Sequence, residues 1–446
     1  MSPTPGSPTR RTPRRAALVG ALALVPVVTG TAFAPAASAH LHVTRQFTPT
    51  ATFAVDGEVA EILAVTPDGR TVLYTDSARG ELGLVDLTDP SAPEQAGTVV
   101  VGGEPTSVTT TPDGRFALVV VDTTDGEFAS PSGRLDVVDL ATATVVRSLD
   151  LGGQPDSIAI APDGATAAVA IENQRDEELV VDGVEGGLPQ SPAGFVVALD
   201  LAGDPADWTG TPVEVAGLPG LAFPEDPEPE FVDVDAHGVA AVTLQENNAV
   251  VLVDLASASV LTSFSAGEVD RSDADLHDDG EVDLSEELTA PREPDGVQWT
   301  ADGNLVTADE GDLAEEPSGG RGWTVFSPEG EVLWAAGGSA ERALADAGRY
   351  PDDRSDDKGA EFEGTEVATF GWGPFAQQYA FIGSERGNAV LAYTLDDDLS
   401  PRLQQVLPTG TAPEGVLAVP SRGLLLTSNE DDGTISVFTL ETCLSS

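Results

Sequence analysis

Twelve acidic residues fall at two recurrent places along the chain, and carboxylates repeated in this way can share a cation or a proton. The first series stands where an apolar run gives way to a polar loop: Asp76, Asp122, Glu172, Glu246, Glu310, Glu385 and Glu430. The second stands at the start of another apolar run, after a proline or phenylalanine: Asp156, Glu230, Asp295, Glu363 and Glu414. The stretch VTLQENNAVVLVDL, Val242 to Leu255, shows the first series in context. A turn there needs Asn or Gly where the backbone bends sharply, and a glutamate ahead of it has no obligatory structural role. Two uses are open to each acid: bonding backbone amides at a turn, or facing a ligand.

A second acidic segment has a sharper spacing. In DLHDDGEVDLSE, Asp275, His277, Asp279, Glu281, Asp283 and Glu286 take positions 1, 3, 5, 7, 9 and 12 of a calcium-binding loop, with Gly280 at the sharp turn. Oxygen donors suit a hard cation; the imidazole at position 3 departs from that set, and flanking helices are not evident. Calcium is the cofactor these residues point to. Arg321, Lys358 and Arg386 lie in or near the same loops and could clamp the oxygens of an anion; Lys358 is the only lysine in the chain. No G-x-S-x-G, Walker, H-E-x-x-H or C-x-x-C-H run is present, which excludes covalent c-type haem and gives no nucleotide loop. His40, His42 and His237, and the tryptophans Trp299, Trp323, Trp334 and Trp372, read as structural residues, the tryptophans as packing.

These residues are positioned by a repeat. The turns Thr66-Pro-Asp-Gly69, Thr111-Pro-Asp-Gly114 and Ala161-Pro-Asp-Gly164 are hairpin chemistry, with proline presetting φ and glycine taking the left-handed position. Each is followed by a polar loop and then an apolar strand: GLVDL (83–87), DVVDL (136–140), VVALDL (196–201) and VLVDL (251–255), drifting later to WTVFSPEG (323–330), VLAYTL (390–395) and ISVFTL (435–440). Seven units of this kind predict an all-β fold, a seven-bladed β-propeller of four-stranded antiparallel blades. Insertions are expected at 122–134, 174–193, 201–227, 269–292 and 337–360. The last unit lacks a fourth strand, and Phe47 to Val55 alternates enough to supply it, closing the ring and removing free sheet edges. In such a ring the loop after the second strand and the start of the inner strand open on the same face. Both acid series should therefore meet in one funnel.

Arg10, Arg11, Arg14 and Arg15, an apolar run from Ala16 to Val28 and small residues ending Ala37-Ser38-Ala39 predict a signal peptide over 1–39, leaving 40–446 as one propeller domain. Without that segment the chain carries 17 basic and 75 acidic residues, a formal charge of −58 against −54 for the whole. Such a surface repels nucleic acid and anionic lipid and attracts cations. The expectation is a monomer outside the cytoplasmic membrane, without membrane insertion or nucleic-acid partner, whose ligand is an unidentified extracellular or envelope component. Cys443 is the only cysteine and forms no intramolecular disulfide.

Four phrases, EPEFVDVDAHGVAAVTLQENNAVVLVDL (228–255), EPDGVQWTADGNLVTADEGD (293–312), YAFIGSERGNAVLAYTL (379–395) and APEGVLAVPSRGLLLTSNEDDGTISVF (412–438), resemble the choice-of-anchor I propeller proteins, relatives of the mesenchyme-specific cell-surface glycoprotein. The resemblance implies an extracellular propeller, often attached to the envelope, in a family where some relatives carry phosphatase or phytase-like labels; it transfers no catalytic residues. The reading is a cation-dependent binding or scaffold protein. The alternative is a metal-dependent phosphoesterase or lactone hydrolase that uses the carboxylate funnel.

Overall fold

The structure is a computed structural model that describes residues 42–57, 59–312, 317–396 and 400–445. In the fourth blade, Val239–Leu244 and Ala249–Asp254 pair antiparallel across the turn Gln245–Asn248, where Asn248 takes a left-handed φ of 47°. Alternate residues of each strand point to opposite faces. Ala240 and Val242 pack with Ala168 and Val196 of the preceding blade, whereas Ala241 and Val250 pack with Val297 and Phe326 of the next. Burial on both faces explains why these strands read as continuous apolar runs rather than as alternating ones.

Seven sheets of four strands repeat this unit. The innermost strands are Leu63–Val65, Glu104–Thr110, Pro155–Ile160, Val232–Val234, Pro294–Trp299, Thr365–Phe370 and Pro413–Val419, and each touches the next until the last touches the first. All belong to one body, Thr44–Cys443. The seven-bladed ring is closed by His42–Ala54, which pairs with Thr434–Ser445 as the outer strand of blade 7. Phe47 fastens that strand. It is 1% exposed, packs edge-on against Phe370, Tyr379 and Phe381 at 5.2, 5.6 and 5.2 Å, and exchanges backbone hydrogen bonds with the Gln405 side chain of blade 6.

The three Pro-Asp-Gly turns close as expected: Gly69, Gly114 and Gly164 have φ near +70° and donate to Thr66, Thr111 and Ala161. The insertions carry a small hairpin (Val180–Val181 with Val184–Glu185), a longer one (Glu268–Ala274 with Glu286–Pro291) and a helix, Ser339–Asp346. Residues 201–227 are not wholly an insertion, because Thr209–Glu214 within them is the outer strand of blade 3. Trp323 and Trp334 pack with Tyr393, but Trp372 is 77% exposed at the tip of a hairpin and is not a packing residue. Residues 1–39 lie outside the described residues, and among those described no helix is long and apolar enough to cross a membrane.

Replacing Phe47 with alanine removes a ring from a closed aromatic cluster and should lower unfolding free energy by about 3–5 kcal/mol. Denaturant titration read by tryptophan fluorescence checks this, and an unchanged midpoint would mean that the terminal strand does not hold the ring.

Candidate functional site

The inner strands begin on one face. Glu61, Thr106, Asp156, Glu230 and Asp295 each stand five residues before the first residue of the turn that ends their strand, Thr66, Thr111, Ala161, Asp235 and Thr300. Glu363 and Glu414 hold the matching place in blades 6 and 7. Six blades thus put an acid at the axis, and blade 2 a threonine. In blades 3, 5 and 7 the ladder slips between the proline and the residue three on, Pro155 to Ile158, Pro294 to Val297 and Pro413 to Val416. That bulge turns the acid out of the sheet. The glycines of EPDG and FEG have a steric reason: a Cβ on Gly296 would stand 2.6 Å from the Glu363 carbonyl oxygen, and one on Gly364 2.2 Å from that of Glu414. Successive inner strands approach backbone to backbone there, which only glycine permits.

Antiparallel pairing brings the second series beside the first, since Pro155 faces Ile171, Pro294 faces Asp309 and Pro413 faces Asn429. Asp156, Glu172, Glu230, Asp295, Glu310, Glu363 and Glu414 line one cavity of about 200 Å³ with Thr106, Ser107, Ser157 and Gln245. It continues along the axis into a space of about 300 Å³ that Asp233 and Glu366 line further in. Two groups of three carboxylates have oxygens within 4.8 Å of one another: Glu172, Glu230 and Glu246, and Asp295, Glu310 and Glu363. One base reaches each. Arg175 lies 3.1 Å from Glu246, 3.1 Å from Asp312 and 3.7 Å from Glu228, and Lys358 lies 2.5 Å from Glu310. Gln245 donates to Glu310 at 3.0 Å, joining the two groups. Buried Oε2 atoms of Glu230, Glu363 and Glu414 have no hydrogen-bond donor among the described residues, and the carboxyl groups of Glu228 and Glu246 meet each other. Glu246 and Glu228 are 5% and 1% exposed. Unmet carboxylate oxygens at such depth are costly unless a proton or a cation meets them.

Burial pushes these acids toward protonation, and each charge adds to its neighbours' shift. Asp156 rises to about 7 through burial and then through Glu246 and Glu61; Glu61 rises to about 7 through burial, with Glu430 and Asp76 adding to it. Burial holds Glu172, Glu230, Asp295, Glu363 and Glu414 well above the ordinary carboxylate range. It also raises Glu246 and Glu310, against Arg175 and Lys358. Glu228 faces Glu246 carboxyl to carboxyl and rises to about 10 through burial and then that repulsion, so it holds a proton at neutral pH.

The choice-of-anchor I domain model matches residues 61–316 and 316–398. The chain belongs to the choice-of-anchor I family. No curated protein sequence matches it. Among solved structures, Kuenenia stuttgartiensis hydrazine synthase is similar over 88% of this chain and 97% of that one, with 16% identity and a TM-score of 0.56. The β-propeller domain of Myceliophteria thermophila Cps50 (Swd1) is similar over 89% and 100%, with 11% identity and a TM-score of 0.53. Identities this low establish the propeller fold alone.

Within this choice-of-anchor I propeller the expected site residues separate. Asp76 and Asp122 cap turns through the amides of Arg79 and Thr124, and are not among the cavity's lining. Glu385 rises to about 7 through burial but pairs with Arg386 at 3.0 Å, and Glu430 is half-buried at the rim. The acids of the Asp275–Glu286 loop do not gather: the groups of three close enough to share an ion, among the described residues, are the two at the axis. The loop closes as the end of a β-hairpin, and Asp275 and Asp279 answer backbone amides within it. Asp275 accepts from His277 and Asp283, Asp279 accepts from Glu281, Gly280 donates to Asp352, and His277 lies 3.4 Å from Glu286. Arg321 is not available to an anion. It is fully buried and donates to the carbonyls of Ser318, Asp275, Ser355 and Asp357. Lys358 is held by Glu310, and Arg386 by Glu361 and Glu385. Sequence reasoning missed Glu61, which lacks the preceding proline but keeps the five-residue offset to its turn. It also missed Glu228, which stands two residues before its axial residue as Glu104, Glu293 and Glu361 stand before theirs, and Asp312 and Arg175, for which no repeat gives a signal.

A carboxyl protonated more readily in the folded than in the unfolded chain stabilises the fold at low pH. That contribution is complete below about 4.5 and is lost as pH rises through the folded value, about 7 for Asp156 and Glu61. In chelator, the melting temperature should therefore fall between about pH 5 and 8, and Glu363→Gln should flatten the fall. Scanning fluorimetry across that range tests the sign; a rise with pH would contradict it.

Proposed function

We propose that this choice-of-anchor I propeller is an extracellular binding or scaffold protein that holds divalent cations, calcium first among them, at its axial carboxylates. The observation that carries the reading is the pair of three-carboxylate groups within 4.8 Å, with buried unmet oxygens on Glu230 and Glu363. Their donors are all oxygen, which suits calcium and offers nothing to select a softer metal. Glu172 and Glu230 would hold one ion with Glu246, and Asp295 and Glu363 a second with Glu310. A bound cation supplies positive charge in a cavity that otherwise repels anions, so a ligand's oxygen could complete its coordination. The arginine-led apolar segment of residues 1–39 supports placement outside the cytoplasmic membrane. A second reading, cation-dependent hydrolysis of a phosphoester or lactone, is favoured by Lys358 at the edge of one group, where it could face a developing negative charge.

Isothermal titration with calcium and with magnesium, beside melting in chelator, tests the binding reading. A ligand of the folded state alone stabilises it by about 2.7 kcal/mol at a hundred times its dissociation constant. Glu230→Gln and Glu363→Gln should each weaken binding at least tenfold, whereas Asp279→Ala should leave it unchanged. No heat and no change in melting would remove the axial site, and loss in Asp279→Ala would return it to the acidic loop. Calcium-dependent turnover of phosphomonoester, phytate or lactone that disappears in Glu363→Gln would replace binding with catalysis.

A further inference from the structure

The face opposite the acid ring carries the exposed aromatic pair. The tip of the hairpin that joins the first and second strands of blade 6 reads Gly371-Trp-Gly-Pro-Phe375, and Trp372 and Phe375 are 77% and 53% exposed. Their rings meet edge to face, with centroids 6.3 Å apart. The tip is built to hold this shape. Gly371 and Gly373 have φ of +86° and +56°, and Gly373–Phe375 forms a 3₁₀ turn around Pro374. Arg45, from the ring-closing strand, donates to the carbonyls of Phe370 and Phe375 from either side. A Cβ on Gly371 would stand 2.5 Å from the Phe375 carbonyl oxygen, so the conformation needs glycine there. Among the described residues the only ring that meets Trp372 is that of Phe375, itself exposed, yet backbone and side-chain bonds fix the loop that presents the pair.

The tip rises from the wall of a cavity of about 320 Å³ between blades 5 and 6, which Thr369 and Ala376 at its two ends help to line. The polar lining is Thr300, Asp302, Thr369, Gln377, Gln378 and Asp396, a mixture of hydroxyl, amide and carboxylate. Arg402 pairs with Asp396, so that carboxylate is already neutralised. An exposed aromatic pair on a fixed tip, next to a cavity of mixed donors and acceptors, matches a ligand with C–H faces and hydroxyl edges. The chain's charge of −54 argues against an anionic polymer or lipid surface. We propose that Trp372, Phe375 and the adjoining cavity form a binding site for a neutral polysaccharide, separate from the axial cation site.

Affinity electrophoresis of the full chain through gels containing β-1,3-glucan, β-1,4-glucan, dextran or α-mannan tests this. At least one polymer should retard the wild type, equally in calcium and in chelator, and 0.5 M salt should not abolish the retardation. Titration with the matching hexasaccharide should show a loss of at least tenfold in Trp372→Ala and in Phe375→Ala, with Trp372→Tyr retaining most of the affinity and all three melting like the wild type. Glu363→Gln should bind the sugar normally, which keeps this test apart from that of the cation site. The proposal fails if none of the four polymers retards the protein, or if Trp372→Ala is retarded like the wild type. It also fails if oligolysine competes and salt abolishes binding, which would make the site cationic in preference, or if Trp372→Ala only changes the sedimentation coefficient, which would make it a self-association surface.

Discussion

Like charges confined on one axis repel, and a closed ring gives them no way to separate. The inner strands of this propeller touch around a full circle, so the acids at their starts share a cavity of about 200 Å³ whatever their charge state. An open sheet could relax by splaying; here the strand His42–Ala54 completes blade 7 and Phe47 pins it to blade 6. Ring closure thus turns a repeated residue type into an electrostatic problem. The protein answers it with protons, with two bases brought in by loops and, on the reading above, with cations.

The solution is not symmetric. Blade 2 places Thr106 where its neighbours place acids, and the acids after the second strands of blades 1 and 2, Asp76 and Asp122, serve turns. The unmet oxygens and the close groups belong mainly to blades 3 to 6, which are also where Arg175 and Lys358 arrive from insertions. Short connections in blades 1 and 7 leave the repeat near its minimum. Long ones in the middle of the chain supply groups that a repeat alone cannot, because each insertion reaches the axis once.

The fold was largely legible because its signals are local and recur: Pro-Asp-Gly turns fix hairpins, and Asp-Leu endings fix third strands. Even ring closure followed from a count, a last unit one strand short. The strand that escaped, Thr209–Glu214, reads TGTPVE, since an outer strand buries little and needs no apolar run. At the site, position in the repeat identified the axial acids, but the proline mark that found Asp156 and Asp295 could not find Glu61. The spacing of Asp275 to Glu286 matches a calcium loop, but that pattern is at home between helices that wrap the loop, and β-strands flank this one. Arg321 shows the limit of reading charge from sequence: its partners are backbone carbonyls, which leave no residue signature. For Trp372 the signal was present and given too little weight. A tryptophan between two glycines, with proline following, sits in turn chemistry rather than in a strand.

The two bases bear on which cation the axis can take. Each close group has three carboxylates, one of them held by a base: Glu246 by Arg175 and Glu310 by Lys358. Counting the base, the Asp295 group carries two formal negative charges when fully ionised; Arg175 is shared with Asp312, so the Glu246 group and Asp312 together carry three, and Glu228 beside them is pushed toward its protonated form. A divalent ion would neutralise the Asp295 group and leave a single charge around Arg175, whereas a monovalent ion would leave buried charge at both and a trivalent ion would reverse the sign at the Asp295 group. Removing the base would deepen the negative field without adding an oxygen that faces the ion. On the cation-binding reading proposed above, Arg175 and Lys358 are fixed counter-charges that bring both groups nearer to what a divalent ion can balance, and the insertions that carry them lower the charge of a crowded ring.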